Sequence, residues 1–178
     1  MKAKRTKARQ PRCIVIAGPN GAGKTTFARE FLVKEMDIVR FVNADSIAEG
    51  ISPLNPSLAT LAAGKLFLSE LDRLASLNQD FAFESTLSGL LHAYRLRRMK
   101  SLRYRIEIVF LRLDSPQLAL RRVAERVKQG GHNVPKADIL RRFDRGLRNF
   151  ESVYRHIADS WTIYDNSGST PLPVESGP

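Results

Sequence analysis

The sequence predicts an α/β protein in which a parallel sheet carries helices on both faces. Short apolar runs alternate with stretches of helical periodicity five times along the 178 residues, which is typical of repeated strand–helix units. The gaps between consecutive runs leave room for the crossover of a dozen or more residues that parallel pairing needs. A glycine-rich segment joins the first run to the first helix, at a position where such sheets bind ligands.

The predicted strands are short segments rich in β-branched and aromatic residues, and they cover residues 13–17, 38–45, 81–85, 105–114 and 160–167. Apolar residues at helical spacing predict helices over residues 24–34, 57–77, 88–102, 115–129 and 136–158. Prolines and glycines interrupt these patterns at 52–57 and 130–135. We therefore predict one domain, residues 12–166, between a basic, disordered N-terminal arm (1–11) and a C-terminal tail (167–178).

The formal net charge of +11 is unevenly distributed, because six of the positive residues precede the first predicted strand. Such an arm can contact nucleic acid or be a solvated segment, and we favour the solvated segment. No apolar run approaches the ~20 residues of a membrane span, and no apolar secretory segment follows the arm, so we predict a cytoplasmic protein. Cys13 is the only cysteine, which excludes an internal disulfide and predicts a buried, inert thiol.

The segment after the first strand has the spacing of a phosphate-binding loop. Gly18 is followed by Gly23, Lys24 and Thr25, which satisfies the P-loop pattern. Glycines let consecutive N–H groups turn toward an anion, and the following helix presents its positive end to the same anion. We predict that ATP binds here, with Lys24 on the β- and γ-phosphates and the Thr25 hydroxyl on Mg²⁺. The predicted nucleotide contacts are Gly18, Pro19, Asn20, Gly21, Ala22, Gly23, Lys24, Thr25 and Thr26.

A P-loop indicates a nucleotide but not the reaction. No guanine-selecting Asn-Lys-x-Asp segment occurs, and Leu87–Leu90 matches only the beginning of an ABC-type signature. Besides the nucleotide, a kinase needs a group that accepts or orients the acceptor hydroxyl, and cations over the transferred phosphoryl group. The sequence contains candidates for each.

Carboxylates follow the predicted strands at the edge where open α/β sheets bind ligands. Asp45 ends the second strand, where it could take a proton from an acceptor hydroxyl or cap the next helix. Asn43 points to the same side of that strand and is a candidate substrate contact. Glu84 ends the third strand, and we predict that it binds a Mg²⁺-bound water or an acceptor hydroxyl, with Thr86 as a weaker companion. Asp114 ends the fourth, but the Ser-Pro after it favours a helix cap.

Arginines flank the break at residues 130–135. Arg126 precedes the break and Arg142 follows it, within a larger basic group between residues 121 and 148. The two glycines of the break could hinge a helical lid over the nucleotide, and arginines on such a lid would neutralise the transferred phosphoryl group. We predict Arg126 and Arg142 as catalytic cations. His132, inside the break, is a candidate contact to phosphate or substrate.

Four segments together resemble the zeta-toxin-like P-loop kinases. They are "GPNGAGKTTFA", "NADSIA", "FAFESTLSG" and "GGHNVPKADILRRFDRGLRNF". Many families share the first segment, whereas the other three, in this order, are much more specific. The resemblance extends from about residue 12 to residue 165.

The resemblance implies a P-loop kinase fold whose five-stranded parallel sheet has the order 2-3-1-4-5. It implies an enzyme that uses ATP and Mg²⁺ to phosphorylate a hydroxyl of UDP-N-acetylglucosamine or a related nucleotide sugar. It also implies a small antitoxin protein that blocks the ATP site. By the same resemblance Asp45 is the base on the sugar hydroxyl, and Glu84 with Thr86 contacts the sugar and organises the metal region.

The lid carries a further part of the resemblance. Glu125-Arg126 is similar to a family pair whose arginine binds phosphate. Residues 132–135 stand where the family has a second lid arginine before a Thr-Pro pair, so either His132 takes that role or Arg142 reaches in from the next helix.

Two other functions remain open at this point. A P-loop ATPase could dock on nucleic acid through the basic arm, and a 5′-hydroxyl kinase of nucleic acid would need the same base and lid. Binding through the arm should fall steeply with salt and disappear when the arm is deleted.

Overall fold

A computed structural model of the protein describes residues 9–131 and 133–178. The strands are β1 (Arg12–Ala17), β2 (Phe41–Val42), β3 (Phe81–Ser85), β4 (Arg105–Arg112), β5 (Ser160–Asp165) and β6 (Leu172–Gly177). The helices are α1 (Lys24–Met36), α2 (Ala44–Ile51), α3 (Thr60–Ser76), α4 (Leu91–Ser101), α5 (Pro116–Lys128) and α6 (Lys136–Asn149). A 3₁₀ turn (Pro56–Ala59) precedes α3, and a π-helical turn (Phe150–Tyr154) follows α6.

The strands form a single sheet in the order β2-β3-β1-β4-β5-β6. The first five strands are parallel and have the implied order 2-3-1-4-5, so the predicted α/β class and topology are confirmed. Their carboxyl ends therefore meet at one edge of the sheet, which brings the segments after β1, β2 and β3 together.

The sheet has one strand more than predicted, because residues assigned to a C-terminal tail form β6. This strand pairs antiparallel with β5 at the edge of the sheet, where Pro173 is tolerated because an edge strand needs fewer backbone donors. Gly177 lies against the ring of Trp161, and a Cβ atom there would be 2.5 Å from that ring. The prolines of this segment concealed the strand in the sequence.

Helices cover both faces of the sheet in three layers. On one face α3, α4 and the π-helical turn bury aromatic and aliphatic side chains, among them Phe67, Leu96 and Phe150, against β1, β3 and β4. On the other face α1, α5 and α6 pack Leu32, Val123 and Ile139 against the same strands. Strand alternation explains this division, because successive residues of β1 and β3 point to opposite layers. Cys13 is buried, and burial raises the pKa of its thiol, as expected for an inert cysteine.

Residues 9–12 are attached to the domain. The Arg9 guanidinium donates to Asp80 at 2.5 Å, and the backbone N–H of Arg12 donates to the same carboxylate at 2.9 Å. The rest of the predicted arm, residues 1–8, lies outside the described residues. No helix in the described part of the chain is long and apolar enough to cross a membrane.

Candidate active site

The loop between β1 and α1 has the backbone that a phosphate-binding loop needs. Gly18, Gly21 and Gly23 have φ values of 140°, 79° and 77°, which L side chains rarely adopt. A Cβ atom on Gly18 would lie 2.3 Å from the carbonyl oxygen of Leu111. The loop therefore passes so close to β4 that only glycine fits at its first position.

Lys24 is buried at the base of this loop. Its ammonium donates to the carbonyl oxygen of Pro19 at 3.0 Å. Burial lowers the pKa of Lys24. The carboxylates of Glu84 and Asp45 oppose that shift, whereas the guanidinium groups of Arg126 and Arg142 reinforce it. The chain thus holds a buried cation near two other cations, an arrangement that an anion would stabilise. The Oδ1 atom of Asn20 in the same loop is buried and has no hydrogen-bond partner among the described residues.

Thr25 and Glu84 are in direct contact. The Thr25 hydroxyl donates to the Glu84 carboxylate at 2.7 Å, and the Asn43 amide lies 3.4 Å from the same hydroxyl. The parallel pairing of β1 with β3 produces this contact, because Glu84 stands in register with Ile16 at the end of the strand. Hard cations such as Mg²⁺ prefer oxygen ligands and take one or two from the protein besides phosphate oxygens and water. The predicted metal ligands Thr25 and Glu84 therefore fit a Mg²⁺ ion chemically.

Two helix caps are not formed by the aspartates considered above, of which Asp45 is the alternative cap for α2 and Asp114 the favoured cap for α5. Asn43, not Asp45, caps α2, because its Oδ1 accepts the N–H groups of Asp45 at 2.7 Å and Ser46 at 3.1 Å. Ser115, not Asp114, caps α5 by accepting the N–H of Leu118 at 3.3 Å. Asn43 and Ser115 each have the extended backbone that an N-cap requires. The Asp45 carboxylate is therefore not needed to start α2.

The predicted site residues converge on one cleft of about 980 Å³. Its lining includes Asn20, Gly21, Gly23, Lys24, Thr25, Thr26, Asn43, Asp45, Glu84, Thr86, Arg126 and Arg142. Gly18, Pro19 and Ala22 are buried parts of the loop and do not line the cleft. The predicted contact through His132 lies outside the described residues.

The glycine break after α5 is a helix cap that positions Arg126. Gly130 has a φ of 85°, and the N–H groups of Gly130 and Gly131 donate to Val127 at 3.0 Å and Arg126 at 2.9 Å. This pair of bonds is a Schellman motif. A Cβ atom on Gly131 would lie 2.6 Å from Cγ of Arg126, so the second glycine packs against the stem of that arginine.

A clasp between the P-loop and the loop after β5 was not predicted. The Asn166 amide donates to the carbonyl oxygen of Ala22 at 2.7 Å. The Arg122 guanidinium donates to the carbonyl oxygens of Asn166 at 2.7 Å, Ser167 at 2.9 Å and Gly168 at 3.2 Å. Arg122 lines the cleft, but its guanidinium N–H groups are bonded to the loop of residues 166–168. No local pattern signals this role, since its partners are more than 40 residues away.

His92 is a second cleft residue that sequence reasoning missed. Its ring packs against Phe67 and Phe83, with centroids 5.9 Å and 5.2 Å apart. Its Nδ1 atom is buried without a hydrogen-bond partner in the described ranges. Burial, assisted by Arg95, lowers the pKa of His92 to about 4, so the imidazole is neutral at physiological pH.

The lowered pKa of His92 predicts a pH-dependent loss of stability. An unfolded chain protonates this histidine near its ordinary pKa of about 6.5, whereas the folded chain resists protonation down to about pH 4. The contribution of the neutral His92 side chain to the free energy of unfolding is therefore complete above pH 6.5 and is lost as the pH falls toward 4. We expect the free energy of unfolding of the wild type to fall by up to about 2 kcal/mol relative to His92→Phe between pH 7.5 and pH 5. Urea titrations at both pH values measure this difference, and equal losses would contradict it.

The close contact of α6 with the loop after β3 predicts an intolerant glycine. A Cβ atom on Gly146 would lie 2.4 Å from the carbonyl oxygen of Thr86. We expect Gly146→Ala to lower the free energy of unfolding by roughly 1–3 kcal/mol, because backbone must shift to admit the methyl group. Gly89→Ala is the matched control, since a Cβ atom at Gly89 would meet no heavy atom within 4 Å among the described residues, apart from its chain neighbours. Urea denaturation compares the two variants, and equal effects would refute the steric explanation.

The chain resembles known proteins in sequence and in structure. A family model described as Zeta toxin matches residues 1–173. An uncharacterized protein of Haemophilus influenzae is 32% identical over 132 residues, which are 74% of this chain and 91% of that protein. A structure of the PezAT chromosomal toxin–antitoxin system of Streptococcus pneumoniae has a TM-score of 0.65 at 18% identity, covering 98% of this chain and 75% of that one. A structure of AvrRxo1-ORF1:-ORF2 with ATP has a TM-score of 0.74 at 16% identity, covering 95% of this chain and 59% of that one.

The structural likenesses lie below 25% identity and support the fold, which is the P-loop kinase fold predicted from the four segments. The family match extends over nearly the whole chain. The chain therefore belongs to the Zeta toxin family and is a P-loop kinase.

Proposed function

We propose that this kinase transfers the γ-phosphate of ATP to a hydroxyl of a small molecule, and that the acceptor is a nucleotide sugar such as UDP-N-acetylglucosamine. The observation that carries the proposal is the convergence of a P-loop, a carboxylate and lid arginines on one cleft. That cleft, at about 980 Å³, is large enough for a donor and an acceptor together.

The P-loop and the lid hold the donor in this proposal. Lys24 exchanges its contact with Pro19 for the β- and γ-phosphates of ATP. Arg126 and Arg142 approach from α5 and α6 and stabilise the charge that spreads over the transferred phosphoryl group. Both are close enough to Lys24 to lower its pKa, so the three cations act on one region.

Thr25 and Glu84 would hold Mg²⁺ in this proposal, Thr25 through its hydroxyl and Glu84 directly or through a water. When bound, the ion would neutralise phosphate charge. The hydrogen bond between the two side chains keeps both oxygens at one place before the nucleotide arrives.

Asp45 is the proposed base. Its carboxylate accepts the proton of the acceptor hydroxyl as that oxygen forms a bond to the γ-phosphorus, and the bond from the γ-phosphorus to the β,γ-bridging oxygen breaks to release ADP. Asn43 and Thr86, which also line the cleft, are proposed contacts to the acceptor. The proposal includes a cytoplasmic location and a small antitoxin protein that blocks the ATP site.

The test is incubation with γ-labelled ATP and a panel of nucleotide sugars, nucleosides and 5′-hydroxyl oligonucleotides, with mass spectrometry of the products. We expect label on a nucleotide sugar. Label on an oligonucleotide would instead support the nucleic-acid kinase, and hydrolysis alone would contradict both. Deletion of residues 1–8 tests docking through the arm. The deletion stops before Arg9 because Arg9 is paired with Asp80.

A further inference from the structure

Helix α3 supplies a wall of the cleft that the proposed donor chemistry does not use. Thr60, Leu61, Gly64, Lys65, Phe67 and Leu68 all line the cleft from this helix. They recur at helical spacing, so one face of α3 is turned toward the cavity. Leu61, Phe67 and Leu68 give this face apolar surface, and Lys65 adds a cation beside Gly64. Lys24 and the arginines of α5 and α6 form the more strongly cationic side of the cleft.

Gly64 interrupts this wall without a structural reason. It lies inside α3, where glycine costs about 1 kcal/mol relative to alanine. Its backbone is not in the left-handed region that favours glycine. A Cβ atom at this position would meet no heavy atom within 4 Å in the described part of the chain, beyond its chain neighbours and its own helix. Packing and backbone geometry would therefore both permit alanine.

We infer that the missing side chain of Gly64 makes room for the acceptor, and that an uncharged ring of the acceptor lies on α3 at this position. The inference rests on the proposed function, because it places the acceptor in the same cleft as ATP. It makes Gly64 a specificity-determining residue that acts by its lack of bulk.

The neighbours of Gly64 favour an uncharged ring over a charged group. Leu61 and Leu68 stand one turn to either side of the glycine and offer apolar surface. Phe67 is buried and packs edge-to-face against the neutral imidazole of His92. A sugar ring or a base ring has an uncharged face that can lie on Leu61 and Leu68, whereas a phosphate between the two leucines would have only Lys65, among the α3 residues that line the cleft, to offset its charge.

The α3 wall is also closely packed against the core, so a larger side chain at residue 64 cannot be accommodated by movement of the helix. Phe67 packs on Phe83 of β3 with ring centroids 5.9 Å apart, and His92 packs on both rings. The wall cannot retreat without disturbing the core, because closely packed interiors tolerate little displacement. Added atoms at residue 64 should therefore occupy the cavity.

The test uses Gly64→Ala and Gly64→Leu in the full chain. The matched control is Gly50→Ala in α2. A Cβ atom at Gly50 would also meet no heavy atom within 4 Å in the described ranges, beyond its chain neighbours and its own helix, but Gly50 does not line the cleft. Calorimetry without ATP measures the binding of UDP-N-acetylglucosamine, N-acetylglucosamine 1-phosphate and UMP. ATP binding and the melting temperature are measured for each variant.

We expect Gly64→Leu to weaken the binding of UDP-N-acetylglucosamine at least about tenfold, with ATP binding unchanged and no loss of melting temperature. Gly64→Ala should show a smaller effect in the same direction, and Gly50→Ala none. The two smaller probes identify the ring that lies on Gly64. Weaker binding of N-acetylglucosamine 1-phosphate would indicate the sugar ring, and weaker binding of UMP would indicate the base ring.

Unchanged affinity in Gly64→Leu, or a wild type that binds none of the three probes, would overturn the inference. Failure of the proposed function is distinguishable, because it would appear as binding of a probe without transfer of phosphate to it. A lower melting temperature for Gly64→Leu together with weaker ATP binding would show that the wall serves the fold, and would overturn the inference as well.

Discussion

Replacement of Lys24 by methionine should lower phosphoryl transfer by about 10³-fold. It should leave the ligand-free protein at least as stable as the wild type. Lys24 is buried, and burial lowers its pKa, so its charge is a cost to the fold while no anion is bound. Methionine has a similar length and carries no charge. The site would thus lose its phosphate contact without losing packing.

Three measurements check this prediction. They are the rate of transfer to the best acceptor, the free energy of unfolding in urea and the rise in melting temperature caused by ATP. Lys34→Met is the control, because Lys34 is an exposed residue of the same helix. Transfer within tenfold of the wild type, or a clear destabilisation of the ligand-free Lys24→Met protein, would contradict the role given to Lys24.

Asp45→Asn should lower transfer to the acceptor by about 10²–10⁴-fold, the usual contribution of a general base. ATP binding should be unchanged. Asparagine matches aspartate in shape but cannot accept the hydroxyl proton. The helix should be retained, because Asn43 caps α2 through the N–H groups of Asp45 and Ser46.

Two variants separate chemistry from structure in this experiment. Asn43→Ala removes the cap and should cost about 1 kcal/mol of stability, an effect that Asp45→Asn should not share. Asp114→Asn changes an exposed carboxylate that does not line the cleft and should leave transfer unaffected. If Asp45→Asn retains the wild-type rate, another group takes the proton.

Local patterns were sufficient to predict five parallel strands and the loop that follows β1, although the second strand is Phe41–Val42 and not residues 38–45, because Asn43 caps α2. Both depend on residue types at short spacing, namely alternating apolar runs and glycines at set intervals. Asp45 and Glu84 could be placed in the cleft for a related reason. Each follows a strand, and parallel strands bring their carboxyl ends to one edge.

Choices between neighbouring residues could not be predicted in this way. Asp45 and Asn43 are both good caps by type, and the extended backbone of Asn43 decides between them. The strand β6 carries a proline and lies at an edge of the sheet. Its residues are almost all exposed, so it lacks the alternation of apolar and polar residues that identifies a half-buried strand. These outcomes depend on backbone geometry and on position in the sheet.

Contacts between distant segments were beyond any sequence pattern. The sequence by itself established a kinase core, because its motifs are local. The clasp of Arg122 on residues 166–168, the neutral imidazole of His92 and the gap at Gly64 exist only after the chain has folded. Each depends on which surfaces packing brings together or leaves empty, and for that reason the wall that α3 contributes to the cleft became visible only in the folded structure.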